Sequence, residues 1–281
     1  MHFSIQHTTT YRYSRPVQLL PHVLRLTPRA GGGVHPVRHA VQVHPRPAGT
    51  SESIDAEGNP VRLVWFTGET EQLAIVATAD VRVRHQHAYD FIVTDDASLK
   101  LPASYEARAD VLEPYRKMHY RGGPLATLAR QLARGAKNET LPFLADTARH
   151  LSQFRTIVRD DGAPLPPKTT LAERKGACRD LAVLFIELCR YHGLAARFVS
   201  GYWRGAGTVA QRYLHAWSEV YLPGAGWVGY DPTTGLAVAD EHVPLASARD
   251  PLLAAPVEGL FFGSGIDMRM SWNLRIETRA L

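Results

Sequence analysis

A cysteine thiolate is the readiest nucleophile a side chain offers, so the two cysteines of the chain, Cys178 and Cys189, come first. Cys178 follows the small pair Gly176-Ala177 and shortly precedes LAVLFIELCRYHG, a run apolar on nearly every side. That run predicts a buried helix over residues 179–191, stopped by His192-Gly193. Cys178 then stands at the helix N-terminus, where unpaired N–H groups and the positive end of the helix dipole favour a thiolate. Cys189 lies in mid-helix among apolar residues, the setting of an inert core thiol. At the helical rise per residue the two are about 16 Å apart, which excludes a disulfide between them.

A thiolate that transfers acyl groups needs a base, and the base needs a group that fixes its tautomer. His215 falls in the alternating run LHAWSEVY, Pro223-Gly224-Ala225-Gly226 reads as a turn, and the returning strand ends at Asp231-Pro232. An antiparallel hairpin puts Asp231 opposite His215 or one diagonal step away. Pro232 ends the strand and leaves the carboxylate at a sheet rim. Cys178, His215 and Asp231 are therefore the candidate nucleophile, base and orienter. The backbone N–H of Cys178 is the candidate oxyanion donor. Tyr202 and Trp203 are candidate side-chain partners for it, and Trp217 and Trp227 candidate walls of a substrate cleft, with core packing the competing role of both tryptophans. Asp180 reads as a dipole-favourable charge or a buried hydrogen-bond partner, not a catalyst.

These residues must be held by a scaffold, and the hydrophobic periods predict an α+β one. The first hundred residues read as strands: Phe3, Ile5 and His7 alternate with polar neighbours, Tyr11 and Tyr13 continue the period, and Pro16 and Pro21 interrupt it. Gly31-Gly32-Gly33 and Asp55 to Pro60 are turn signals, and the stretches 37–44, 61–66 and 73–85 are further strands. Helical spacing appears over 125–136 and 143–158, followed by a proline-rich loop at 162–168. Strands over 197–203, 214–221 and 227–230 follow the cysteine helix. The final 45 residues read mostly as loop, with one alternating strand, Met268, Met270, Trp272, Leu274 and Ile276, that docks on the body. The expected division is a β-rich domain over 1–103, a catalytic core over 104–238 and a C-terminal extension over 239–281.

Composition narrows the function class. The 281 residues are 45% hydrophobic and 21% charged, an ordinary globular balance that excludes disorder. Net charge is +5, but the arginines are spread without a dense cluster and no zinc-finger or RNA-binding spacing occurs, so a nucleic-acid partner is not expected. No run approaches a membrane span and the N-terminus lacks a leader pattern; with only two cysteines, the cytoplasm is the expected location. His85-Gln86-His87 alternates as a metal pair would, yet no acidic cluster or third ligand lies near in sequence, and no cofactor motif appears.

The segments GACRDLAVLFIELCRYHGLAARFVSGYW and LHAWSEVYLPGAGWVGYDPTTG resemble the core of bacterial transglutaminase-like proteins. Four elements carry the likeness: a G-x-C-[QR]-D helix start, an A-R-F-V-S-G-Y strand, an H-A-W-x-E-V strand and a G-W-x-x-x-D-P-T turn. The opening HxTTYxYxxPV and Asp55-x-x-Gly58-Asn59 are similar to the β-rich domain that precedes this core in many members. The resemblance implies a β-sandwich-like N-terminal domain followed by a papain-like core of helices on an antiparallel sheet. It also implies a Cys-His-Asp triad of Cys178, His215 and Asp231 acting on peptide or protein amides. Hydrolysis, as a cysteine protease or amidase, is the expected outcome; transglutaminase-type transfer to an amine and a non-catalytic peptide-binding scaffold are the alternatives.

Overall fold

The computed structural model describes residues 1–84, 87–105, 109–159, 162–205 and 214–281. Strand β1 (His2–Leu24) is the spine of the N-terminal region, followed by β2 (Val34–His44), β3 (Gly49–Ile54), β4 (Pro60–Trp65) and β5 (Glu69–Val83). The alternation of Phe3, Ile5, His7 and Thr9 buries one face of β1, as a period of two requires. Pro16 and Pro21 do not end the strand, contrary to the sequence expectation. The pairing of β1 with β5 shifts register between Arg12 and Val17, so the missing N–H of Pro16 falls in an irregularity of the ladder.

The core holds helices α1 (Ala109–Arg116), α2 (Gly123–Gly135) and α3 (Thr140–Ser152), then short strand β6 (Arg155–Thr156). Helix α4 (Pro167–Glu173), strand β7 (Lys175–Gly176) and helix α5 (Cys178–Tyr191) come next. Strands β8 (Ala196–Trp203), β9 (Leu214–Leu222), β10 (Gly226–Asp231), β11 (Leu236–Ala237) and β12 (His242–Ala248) form an antiparallel sheet in the order β11-β10-β9-β8-β12. The second helix expected from the sequence, 143–158, stops at Ser152. Past it the β-branched pair Thr156-Ile157 lies extended: Thr156 pairs with Gly176 and the Ile157 N–H donates to the Gly176 carbonyl at 3.0 Å. Helix α5 lies in the core, with Leu181, Leu184, Phe185 and Leu188 fully buried. Each such side chain contributes about 1.5–3 kcal/mol, which fixes the helix and the thiol at its start.

The C-terminal stretch is not mostly loop. It supplies β12 to the core sheet, then β13 (Val257–Phe262) and β14 (Met268–Arg279), both antiparallel to β1. The N-terminal β domain is thus one seven-stranded sheet in which β1 carries β5 and β14 along its first half and β4 and β13 near its end. Tyr202, Val243 and Leu245 of the core sheet share a hydrophobic cluster with Phe3, Leu73 and Ile276 of the β domain. The two regions are packed together through a common core.

Candidate active site

The start of α5 is built by its own sequence. Ala177 caps the helix in an extended conformation, and its N–H donates to the Asp180 carboxylate at 2.7 Å, the reciprocal arm of a capping box. The other oxygen of Asp180 accepts from Arg159 Nη2 at 2.6 Å and from the Leu165 N–H at 2.7 Å. Asp180 is therefore a fully buried structural anion. A Cβ at Gly176 would lie 2.9 Å from the Asp180 Cβ, so only glycine lets the cap close. The spacing G-A-C-x-D is the chemistry of a helix start that presents a thiol.

Cys178 is half-buried at the first position of α5. Burial alone would raise its thiol pKa, but a hydrogen bond from His215, the imidazolium charge and the Ala216 backbone N–H together lower it below its ordinary value. His215 stands near the start of β9. Its Nε2 is 2.8 Å from Asp231 Oδ2, which leaves Nδ1 for the thiol. The ladder ends with Tyr230 opposite Ser218, so Asp231 comes level with Trp217 and His215 lies one diagonal step beyond on the same face. Burial opposes protonation of His215, yet the Asp231 charge and hydrogen bond, helped by Cys178, raise it to about 10. Burial likewise opposes ionisation of Asp231, and the two imidazoles facing it outweigh that and hold it well below the usual carboxylate range. These shifts all favour a thiolate–imidazolium pair with an ionised carboxylate behind it.

The second imidazole is His242, a residue that no motif in the sequence marks. It lies on β12 opposite Trp203, and its Nε2 is 3.2 Å from the same Asp231 Oδ2. Burial lowers its pKa more than Asp231 restores it, so His242 is neutral and donates Nε2–H to the carboxylate. Asp231 Oδ1 accepts from the Thr233 N–H at 2.8 Å, which is the function of the Asp-Pro-Thr turn. Both carboxylate oxygens are thus committed. The same His215, Asp231 and His242 form the metal-capable cluster found among the described residues, with donor atoms all within 4.8 Å of one another. Here the shared carboxylate faces Nε2 of both imidazoles, and the buried Nδ1 of His242 has no hydrogen-bond partner among the described residues. Of the His85-Gln86-His87 stretch, His85 and Gln86 lie outside the described residues.

None of the four candidate aromatic residues, Tyr202, Trp203, Trp217 and Trp227, lines the cavity at Cys178, and for Trp217 core packing is the role that the structure shows. The Tyr202 hydroxyl is buried against His7 Nδ1 at 3.2 Å, and Trp203 Nε1 donates to Glu241 at 3.4 Å, so neither is aimed at an oxyanion. Trp203 instead lies 5.0 Å from the His215 ring, and Trp217, fully buried, meets the His242 ring edge-on at 5.0 Å. These two indoles pack around the imidazoles. A Cβ at Gly201 would meet the Trp217 ring at 2.6 Å, which is why glycine stands in the SGY strand. Trp227 carries Arg197 at 4.1 Å over its ring and Tyr115 beside it, in a separate cluster. The cavity at Cys178, about 480 Å³, is lined instead by core residues such as Phe198 and by β1 and β14.

The fold has counterparts in known proteins. A profile described as a bacterial transglutaminase-like N-terminal region matches residues 3–82, and the profile of the transglutaminase-like superfamily matches residues 126–232. The chain is transglutaminase-like in both parts. A solved structure of a proposed cysteine protease from Cytophaga hutchinsonii has the same fold, with a TM-score of 0.73 and 21% identity over 100% of this chain and 92% of that one. Uncharacterized protein ML0607 of Mycobacterium leprae is 24% identical, with 93% of each chain covered. The protein-glutamine gamma-glutamyltransferase of Pseudomonas aeruginosa is 33% identical over 117 residues, which are 36% of this transglutaminase-like chain and 17% of that one.

Proposed function

We propose that the chain is a thiol-dependent acyl-transfer enzyme that hydrolyses amide or peptide bonds with Cys178, His215 and Asp231. The observation that carries this reading is the unbroken chain from thiol to imidazole to carboxylate, with the thiol pKa lowered and the imidazole pKa raised. In the reaction His215 holds the thiol proton on Nδ1 while Sγ attacks the carbonyl carbon. The backbone N–H of Cys178, at the first position of α5, donates to the developing oxyanion. The C–N bond then breaks and the amine departs with the proton from His215. Water, deprotonated by the same Nδ1, attacks the thioester and releases the acid, and the proton returns to sulfur.

Transfer to an amine in place of water is the second reading, favoured by the likeness to the Pseudomonas transferase across the core segment. Mass spectrometry of acyl-donor peptides incubated with and without a primary amine separates the two. Free acid or cleaved peptide formed by the wild type and not by Cys178→Ala supports hydrolysis; exclusive amine adducts would replace it with transfer. With both cysteines unpaired, we place the reaction in a reducing compartment, the cytoplasm.

A further inference from the structure

Along β14 the residues of one face divide between two environments. Leu274 and Ile276 are buried in the β-domain core, while Met268, Met270 and Trp272 line the cavity at Cys178. Strand β1 repeats the division: Phe3 and Ile5 are core, and Thr9 and Tyr11 reach the cavity. The register sets Thr9 opposite Trp272 and Tyr11 opposite Met270, so these side chains are cross-strand neighbours on one continuous wall. Phe198 and Leu252 face the same space from the core side. Thioethers adapt to the shape of an apolar guest and aromatic rings offer it flat faces. The lining also includes His7, Arg159, Arg179 and Ser200, and its apolar part is the continuous face that β14 presents through Met268, Met270 and Trp272.

We propose that the acyl donor presents a bulky apolar side chain, aromatic or long aliphatic, to the wall formed by Tyr11, Met268, Met270 and Trp272. The N-terminal β domain is then a specificity element of the site. This rests on the reading of Cys178 as the nucleophile, because the wall matters only to a group held beside that thiol.

The test compares alkylation of Cys178 by iodoacetamide and by N-benzyl iodoacetamide, each rate divided by that of the same reagent with free cysteine. The benzyl reagent gains about tenfold or more at Cys178, the size expected from burying a phenyl ring. Met270→Asp, and separately Met268→Asp at an exposed position, bring that ratio back towards one. A wild-type ratio near one overturns the apolar wall and leaves the acyl-transfer reading standing. A high ratio that both variants retain puts the ring elsewhere and also overturns it. If neither reagent prefers Cys178 over Cys189, the underlying reading falls and takes the proposal with it.

Discussion

Asp231→Asn removes one charge while keeping a hydrogen-bond acceptor near His215 Nε2, so it isolates the electrostatic part of the site. With Asp231 ionised, His215 is raised from its ordinary 6.5 to about 10 and the thiol is lowered from 9.0. Without that charge, burial is the dominant influence on His215 and favours neutral imidazole. The ion pair then collapses to neutral thiol and neutral imidazole. A thiol back at 9.0 is ionised to about one part in a hundred at pH 7, and burial pushes it higher still. Iodoacetamide should therefore label Cys178 more slowly in Asp231→Asn at pH 7, by up to about a hundredfold, with its pH midpoint displaced upward towards the ordinary thiol range. Rates followed by peptide mass spectrometry from pH 4 to about 11 give the full profile. A variant profile within about threefold of the wild type at every pH would refute the argument that Asp231 sustains the thiolate.

Three further outcomes follow from the same geometry. His242→Phe keeps a ring between Trp203 and Trp217 but removes a donor to a buried carboxylate; urea denaturation should show a loss of about 1.5–3 kcal/mol. Gly176→Ala forces a Cβ to within 2.9 Å of the Asp180 side chain, so it should cost about 1–3 kcal/mol and reduce the labelling advantage of Cys178 over Cys189. Asp231 has a depressed pKa, so its stabilisation is present above its unfolded value of 3.8 and is lost as pH falls below it. The melting temperature of the wild type should drop through that acid range, and Asp231→Asn should flatten the drop.

Legibility in the sequence followed the range of the interactions involved. The start of α5 is local: glycine for clearance, a small cap residue and Asp180 at the third helical position all lie within five residues, so the pattern around Cys178 can be read directly. The His215–Asp231 contact spans one hairpin with a short turn, and the strand periods alone bring it to within one diagonal step. His242 depends on β12 crossing back beside β8, a tertiary pairing that no nearby spacing encodes. Trp217 and Trp227 illustrate the same limit, since an aromatic residue on an alternating strand reads identically whether its face meets a cleft, an imidazole or an arginine. The β14 alternation is visible as a strand, but its division into core and cavity residues depends on how far the core domain reaches along it.

In the proposed enzyme Cys178 rests as a thiolate held by His215 and Asp231. Ultraviolet thiolate absorbance, titrated for the wild type and for Cys178→Ala and subtracted, reads that state directly. A difference signal already developed at pH 7, and lost only in acid, is the expected result. A difference signal that emerges only near pH 9, the ordinary range of a cysteine, would contradict it.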